Sequence, residues 1–421
     1  MTLKIKFNNI KNILTRYNFF IYHLCYILGT FFLNIFSLLF ILLNTNYFSK
    51  KNINTLNKNY VFLIIFSLIY LVINLLSSTH PDISFIRFLS ILKFFIFVYC
   101  LYLFFNDGDF EENFLIFSKW TCFIVLFASI DLIFQYYSGK NIFLASSPDQ
   151  SGLRFSGIFF DELIIGSYLS YFFLFGSYYV ERKNYFALIP YFLITVYAII
   201  ISGEKKALIM SIFVFLIYFI CKIKNLKKII IFLVTFSLII SSIFILNKKT
   251  FKRYFDSGGS LIRELGYNTK NQQNFGGFLE TPHVKHFRSA LIIWEDNKFL
   301  GSGLNTFRFN CNNKKNVEIL KNFYCSTHPH NLYFEILSEL GLIGLFLLLI
   351  FIYLCLYNFF RHLLNLNKNI DIYILVSLGM VLVFFPFQST GSFFSSKNIY
   401  LNSIIFALFL ANIKYLNKKI K

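Results

Sequence analysis

The chain has 421 residues, of which 57% are hydrophobic, 21% aromatic and only 14% charged. Soluble domains run near ~25% charged, so a water-soluble globular protein is excluded; recurring apolar runs of ~18 residues or more point to helical membrane spans instead of the alternating strands of a barrel. The net charge of +20 does not mark a nucleic-acid partner, because Lys and Arg gather in the short connections between apolar runs, where they act as a topology signal.

Met1 to Tyr17 reads as a basic amphipathic tail with Lys4, Lys6, Lys11 and Arg16, and no small-residue cleavage site follows, so no cleavable signal peptide is expected. The apolar run Tyr17 to Leu43 would measure ~40 Å as one helix, long for a ~30 Å span. Basic residues at both of its ends, with Lys50, Lys51 and Lys58 following, favour two short or re-entrant helices that break near Gly29-Thr30 or Asn34. Further spans are predicted at Tyr60 to Leu76, Phe85 to Phe105, Phe114 to Tyr137, Leu163 to Val180, Tyr185 to Ser202, Ala207 to Cys221 and Ile229 to Leu246. Leu332 to Phe359, Ile372 to Gln388 and Ile399 to Ile413 complete the set.

The expected fold class is therefore an all-α polytopic membrane protein with about twelve helices, or about eleven if the first run is a single span. One integral membrane domain is expected: an N-terminal bundle over 1–246, a large outer loop over 247–330 and C-terminal helices over 331–421. The basic connections Arg182-Lys183, Lys222 to Lys228 and Arg361 to Lys368 alternate as cytoplasmic. In the large loop, Val284 to Asn297 predicts a short amphipathic helix with Phe287, Leu291 and Trp294 on one face and Arg288 near its edge. Ser257 to Ser260 and Gln272 to Gly277 read as flexible, and Gly301-Ser-Gly303 as a turn that is only a weak phosphate-loop signal.

The loop ends in Ser326-Thr-His-Pro-His-Asn331, just before an apolar run. Pro329 biases His328 away from helix, and Asn331 is a suitable cap. His330 then faces a helix N-terminus, whose partial positive charge disfavours imidazolium and leaves a neutral ring able to accept a proton. The competing reading is a His-Pro-His turn that merely caps the helix. Cys311 and Cys325, in the same loop, are candidates for a disulfide if that side is extracytoplasmic. The other five cysteines fall in or at the ends of apolar runs and read as small hydrophobes. Basic groups converge on the predicted outer side from separate connections: Arg154, Lys205, Lys206 and Arg288, together with His328 and His330. Several cations without clustered carboxylates suit a multiply charged anion such as a pyrophosphate, although any one of them can simply be solvated or face lipid headgroups. A four-nitrogen metal site from His283, His286, His328 and His330 is a competitor on spacing. Lys93 and Asp131 lie at similar predicted depth and suggest a buried ion pair, with a transport pathway as the other reading.

Four stretches carry a resemblance: Arg154-Phe-Ser-Gly-Ile-Phe, Ser202-Gly-Glu-Lys-Lys-Ala-Leu, Arg288 to Trp294 with Gly301-Ser-Gly-Leu-Asn-Thr-Phe, and His328-Pro-His-Asn-Leu-Tyr-Phe-Glu with Glu339 to Gly344. In order, spacing and membrane context they resemble the O-antigen ligase and O-antigen polymerase superfamily of membrane glycosyltransferases, over about half the chain. The resemblance implies surface-polysaccharide or lipopolysaccharide biosynthesis: metal-independent, inverting transfer from an undecaprenyl-pyrophosphate-linked oligosaccharide to a hydroxyl of a glycan or lipid A-core acceptor. It implies the periplasmic face of a bacterial inner membrane, with membrane lipids and no nucleic acid as partners, and no cofactor or metal. His330 matches the family's histidine before Asn and is its implied general base. Arg288 matches the loop arginine, Lys205 (or Lys206 with it) stands where the family has a turn arginine, and Arg154 matches a less constant one. Glu335 and Glu339, a turn apart, are candidates to support His330 beside His328, or to serve packing and capping. A Lys at the turn gives a point charge without the bidentate fork of Arg. The alternative class is a flippase or polysaccharide transporter that uses the same cations for binding alone.

Overall fold

The computed structural model describes residues 17–44, 57–223, 225–256, 282–311, 325–363, 370–386 and 391–420. The basic tail ahead of residue 17, Lys50 and Lys51, and the Ser257 to Ser260 and Gln272 to Gly277 stretches lie outside the described residues. Among those described, every regular element is helical apart from an isolated bridge between Lys140 and Ser146.

The first apolar run is two helices, α1 (17–28) and α2 (Thr30–Leu43), separated at Gly29, whose φ of +113° an L side chain rarely adopts. There follow α3 (Lys58–Leu76), α4 (Pro81–Phe105), α5 (Phe110–Ser138), α6 (Ile165–Lys183), α7 (Leu188–Ile201), α8 (Lys205–Lys222) and α9 (Leu226–Leu246). A short turn of helix, α10 (Lys248–Phe251), runs into a π-helical turn over Lys252–Asp256. Then come α11 (Pro282–Asp296), α12 (Phe307–Cys311), α13 (Leu332–Leu363), α14 (Ile370–Phe384) and α15 (Ser396–Ile420). Their starts follow from local chemistry. Asn57 and Asp109 accept the N–H of Asn59 and Glu111 to cap α3 and α5, Pro81 opens α4, and Asn225 caps α9.

Among the described residues, six helices are long and apolar enough to cross a membrane: α3, α4, α5, α9, Leu332–Arg361 of α13 and Ser396–Asn417 of α15. Helix α9 is the clearest, since its apolar window buries no residue and presents Ile231, Leu238 and Ile245 outward. Hydrocarbon accommodates such a surface and water does not.

Contacts cluster into two units. The first comprises Met1–Leu39, Asp107–Leu261 and Asn369–Leu382. Its centre is α5 against α6, which approach so closely at Gly176 that a Cβ there would lie 3.0 Å from the Cα of Cys122. Polar groups tie the helices where apolar surface alone cannot, because lipid is as apolar as Leu. His23 of α1 is fully buried, with Nε2 3.0 Å from the Thr121 hydroxyl and Nδ1 2.8 Å from the Tyr168 hydroxyl. Each such bond contributes about 0.6 kcal/mol in a membrane. Asp131, fully buried, accepts the N–H of Ile142 at 2.8 Å, and Gln135 accepts those of Ser156 and Gly157, so the outer connection is bonded down onto α5. Asp131 thus has a loop-anchoring role within the first unit. Lys93, in the second unit, lies over the Tyr400 ring at 5.3 Å.

The second unit comprises Phe40–Asn106, Ile262–Lys368 and Val383–Lys421. Here α4 packs along α15, and α13 packs on α3 and α11. A cavity of about 200 Å³ lies between α3, α4, α13 and α15, walled by residues such as Tyr60, Tyr70, Leu340, Phe351 and Phe406. Its hydroxyls are turned into the protein: Tyr60 donates to the Leu354 carbonyl at 3.3 Å and Tyr70 to the Leu300 carbonyl at 3.1 Å. A cavity so lined stays dry.

Candidate functional site

In the second unit the polar chemistry collects where α13 begins. Asn331 caps the helix by accepting the N–H of Tyr333 at 2.9 Å, and His330 just before it has a left-handed φ of +59°. A non-glycine residue there is uncommon and strained, so the surroundings over-determine it. Three of those surroundings are visible. The His286 ring of α11 lies 4.9 Å from the His330 ring, and the His328 ring lies 4.2 Å from it. One residue along α11, Phe287 stacks on Phe334 of α13 at 4.6 Å with the planes 9° apart. The Asn331 amide also donates to the Pro386 carbonyl at 2.8 Å. His286 is 9% exposed, whereas His328 is half-buried and bonded to the Thr327 hydroxyl at 2.8 Å. Arg288 follows two residues after His286 and is half-buried. Cys311, at the end of α12, is disulfide-bonded to Cys325, which ties the approach to the histidines onto the helical frame.

The segment 298–303 is zipped to α13. Ser302 and Gly303 donate to the Ser338 and Glu339 carbonyls at 3.0 and 2.9 Å, and Leu342 donates to the Lys298 carbonyl at 2.9 Å. This demands glycine on both sides: a Cβ at Gly301 would sit 2.4 Å from the Glu339 carbonyl oxygen, and one at Gly341 2.3 Å from that of Phe299. Both have positive φ, and Gly341 kinks α13. The Gly-Ser-Gly turn is therefore a backbone junction with the Glu339 to Gly344 motif and not a phosphate loop. The two carboxylates also serve the frame. Glu339 accepts the N–H of Asn305 at 2.7 Å and of Phe307 at 3.3 Å, while Glu335 accepts the Ser392 hydroxyl and the Phe393 N–H. Two arginines that the sequence reading did not single out meet at Asn305, whose Oδ1 accepts from Arg87 at 3.2 Å and Arg308 at 3.4 Å. Arg308 keeps a buried Nε with no partner among the described residues.

In the first unit the charge collects at the turn between α7 and α8. Gly203 has φ +74°, and a Cβ there would meet the Leu153 carbonyl oxygen at 2.4 Å. Phe155 donates to the Ser202 carbonyl, Arg253 Nε donates to the Gly203 carbonyl at 3.0 Å, and the Tyr254 hydroxyl donates to that of Ile200. Glu204 reaches across to the start of α6, accepting the N–H of Gly166 at 2.7 Å, the N–H of Ser167 at 3.1 Å and the Ser167 hydroxyl at 2.6 Å. An anion at a helix N-terminus is favoured. Burial nevertheless raises the Glu204 carboxyl above its ordinary value, against the Ser167 hydroxyl bond, the Arg154 charge and the two N–H bonds. Around it stand Arg154, Lys205, Lys206 and Arg253. Lys205 is 9% exposed. Burial pushes the Lys206 ammonium down to about 8, with Glu204 opposing. Arg154 donates from Nη2 to the Leu163 carbonyl at 3.1 Å and has a buried Nε without a partner among the described residues. Asp149 holds the loop: burial pushes its carboxyl up, but bonds from the Ser151 hydroxyl and the N–H groups of Arg154, Leu153 and Ser151 together bring it below its usual value.

The predicted residues thus divide. His330, His328, Arg288, Glu335 and Glu339 belong to the second unit, and Arg154, Lys205 and Lys206 to the first. Among the described residues no three His, Cys, Asp or Glu side chains are placed to hold a metal ion, and the side chain of His283 lies outside them. Arg253 was not foreseen. It sits in a polar stretch with no periodicity, and the only local cue is its neighbour Tyr254, fully buried.

No curated protein matches the chain. The O-antigen ligase family model matches residues 190–349, a stretch that contains Lys205, Lys206, Arg253, Arg288, His328, His330, Glu335 and Glu339 and leaves Arg87 and Arg154 ahead of it. That match supports an enzyme of the glycosyltransferase-like ligase and polymerase group, working in general terms on a lipid-linked glycan and a glycan acceptor. On it, the stretch 190–349 is similar to the O-antigen ligase/polymerase family.

Proposed function

We propose that this protein transfers a glycan from a lipid diphosphate, of the undecaprenyl type, to a hydroxyl of a glycan or lipid A-core acceptor at the periplasmic face of the bacterial inner membrane. The observation that carries this reading is His330, held in a left-handed conformation directly before the Asn331 cap and packed against the helix that bears Arg288. A base so placed takes the proton of an acceptor hydroxyl as its oxygen attacks the anomeric carbon from the face opposite the leaving group. The sugar-to-phosphate bond breaks with its electron pair on the diphosphate, which already carries charge and requires no protonating acid. Arg288 supplies a fixed cation for that leaving group. The dry cavity beside α13 supports a lipid-borne donor, because a hydrocarbon chain can be seated against the helix that begins next to His330. In the first unit, the turn carrying Lys205 and Lys206, with Arg154, is proposed to bind phosphate.

The test is a purified, reconstituted protein supplied with lipid-linked donor and acceptor. His330→Ala is expected to abolish product while donor binding survives, and Arg288→Ala to weaken both. Product from the His330→Ala protein at the wild-type rate refutes the assignment. A ladder of products marks polymerisation and one added block marks ligation. Translocated lipid with no new glycosidic bond would move the protein to the transporter class.

A further inference from the structure

His330 does not stand alone. Its ring is in contact with two other imidazoles, one 9% exposed on α11 and one half-buried beside Thr327. We propose that His286 and His328 are positioning residues that share a single proton with His330, keeping the base unprotonated further into acid than a lone histidine. This deepens the transfer reading given above and rests on it for its kinetic part.

The physical ground is repulsion. Two imidazolium rings 4 to 5 Å apart at an effective dielectric near 20 disfavour one another by roughly several hundredfold, and His286 and His328, at most about 9 Å apart by those distances, by at least about twentyfold, so the cluster holds about one positive charge over the range where histidines titrate. One proton distributed over three rings leaves any one of them neutral most of the time. For imidazoles of ordinary basicity, about one pH unit below their midpoint, a lone ring is neutral in about 9% of molecules and one of three sharing a proton in about 68%. The cluster therefore preserves the base about sevenfold at that pH and changes nothing at pH 8. During transfer the acceptor O–H bond breaks, its electron pair forms the new C–O bond, and its proton passes to a His330 nitrogen. From there it is released to solvent.

Other charges surround the cluster. Lys285 and Arg288 lie on α11, Arg308 on α12, Glu335 and Glu339 on α13, and Arg87 reaches Asn305 from α4. The guanidinium and ammonium groups act on all three rings in the same sense. Glu335→Gln separates any contribution of carboxyl titration.

The test uses the full-length protein in detergent or bilayer. The double variant His286→Phe/His328→Asn is expected to match wild-type turnover at pH 8 within about twofold and to fall about sevenfold behind it at pH 5.5, with the same shift in a Glu335→Gln background. Parallel pH profiles would show that the rings merely pack, and a shift abolished by Glu335→Gln would assign the effect to the carboxyl; either overturns the proposal. Should the double variant fail to fold, histidine-selective isotope labelling of the wild-type protein decides independently of activity. The three rings are expected to take up one proton between them from pH 7.5 to 5.5, and independent uptake of two or three overturns the idea. If His330→Ala proves fully active while the one-proton titration holds, the catalytic reading fails and the shared-proton cluster stands.

Discussion

The turn at Ser202 to Lys206 in the first unit and the start of α13 in the second are built alike and equipped differently. Each rests on glycines with positive φ that let backbones approach within the reach of a Cβ, and each uses buried glutamates to hold backbone N–H groups: Glu204 on Gly166 and Ser167, Glu339 on Asn305 and Phe307. The acids of both motifs are thus architectural. The other polar groups differ, being the cations of Arg154, Lys205, Lys206 and Arg253 in the first unit and imidazoles with Arg288 in the second. On the proposed reading, one region holds charge and the other moves a proton.

Mutation separates the two roles. The largest effect is expected from His330→Ala, a loss of about 10² to 10⁴ in turnover with donor affinity kept, as for a general base. Lys205→Ala is expected to do the reverse, weakening donor binding about tenfold with a smaller change in turnover, the loss of one charge-assisted contact. Single-turnover kinetics with a binding assay checks the pair, and matching profiles would erase the distinction. Next in size are the glycines. Gly203→Ala is expected to cost more than about 2 kcal/mol, because strain adds to a clash with the Leu153 carbonyl. Gly152→Ala, also at positive φ (+65°) but with open space around it, is expected to cost about 1 kcal/mol. Thermal unfolding in detergent ranks them, and equal losses would mean that the turn is not as tightly held as described. Replacing Cys311 and Cys325 by Ser is expected to remove about 2 to 3 kcal/mol, for a sequence separation of 14, and to lower turnover only through stability.

The smallest effect is one of pH. The folded Lys206 ammonium loses its proton near 8, below its unfolded value, so between those values the unfolded chain binds more protons and stability rises with pH. The anion binding proposed for the turn is expected to run the other way and weaken as pH rises through about 8. Lys206→Arg is expected to flatten that dependence, and titrating donor affinity from pH 7 to 9 checks it.

Much of the frame was legible in the sequence because it is written locally. Apolar runs set the helices, Asn331 marks the start of α13, and Gly29 marks the break in the first run, whereas the helix that Pro81 opens begins four residues ahead of the predicted Phe85. The α11 helix was legible too, from the spacing of Phe287, Leu291 and Trp294. Contacts between distant stretches were not. Nothing near Gly301 announces that its partner is Gly341, and nothing near Arg253 announces the Gly203 carbonyl. Nothing near Arg87 announces Asn305 as its partner. Similar depth, the cue used for Lys93 and Asp131, is a one-dimensional property and announces neither the Tyr400 ring beside Lys93 nor the Ile142 N–H bonded to Asp131.

The junction of 298–303 with α13 has a mechanical consequence. A helix kinked at one glycine would ordinarily be a hinge, but Leu342 bonds to Lys298 on one side of the bend while Ser302 and Gly303 bond to Ser338 and Glu339 on the other. The bend is splinted, so the arm that ends at His330 and the segment leading to Arg308 travel together. Their amides are expected to exchange with deuterium as one slow cooperative block, and a partner chain pulling on either stretch would be felt by both.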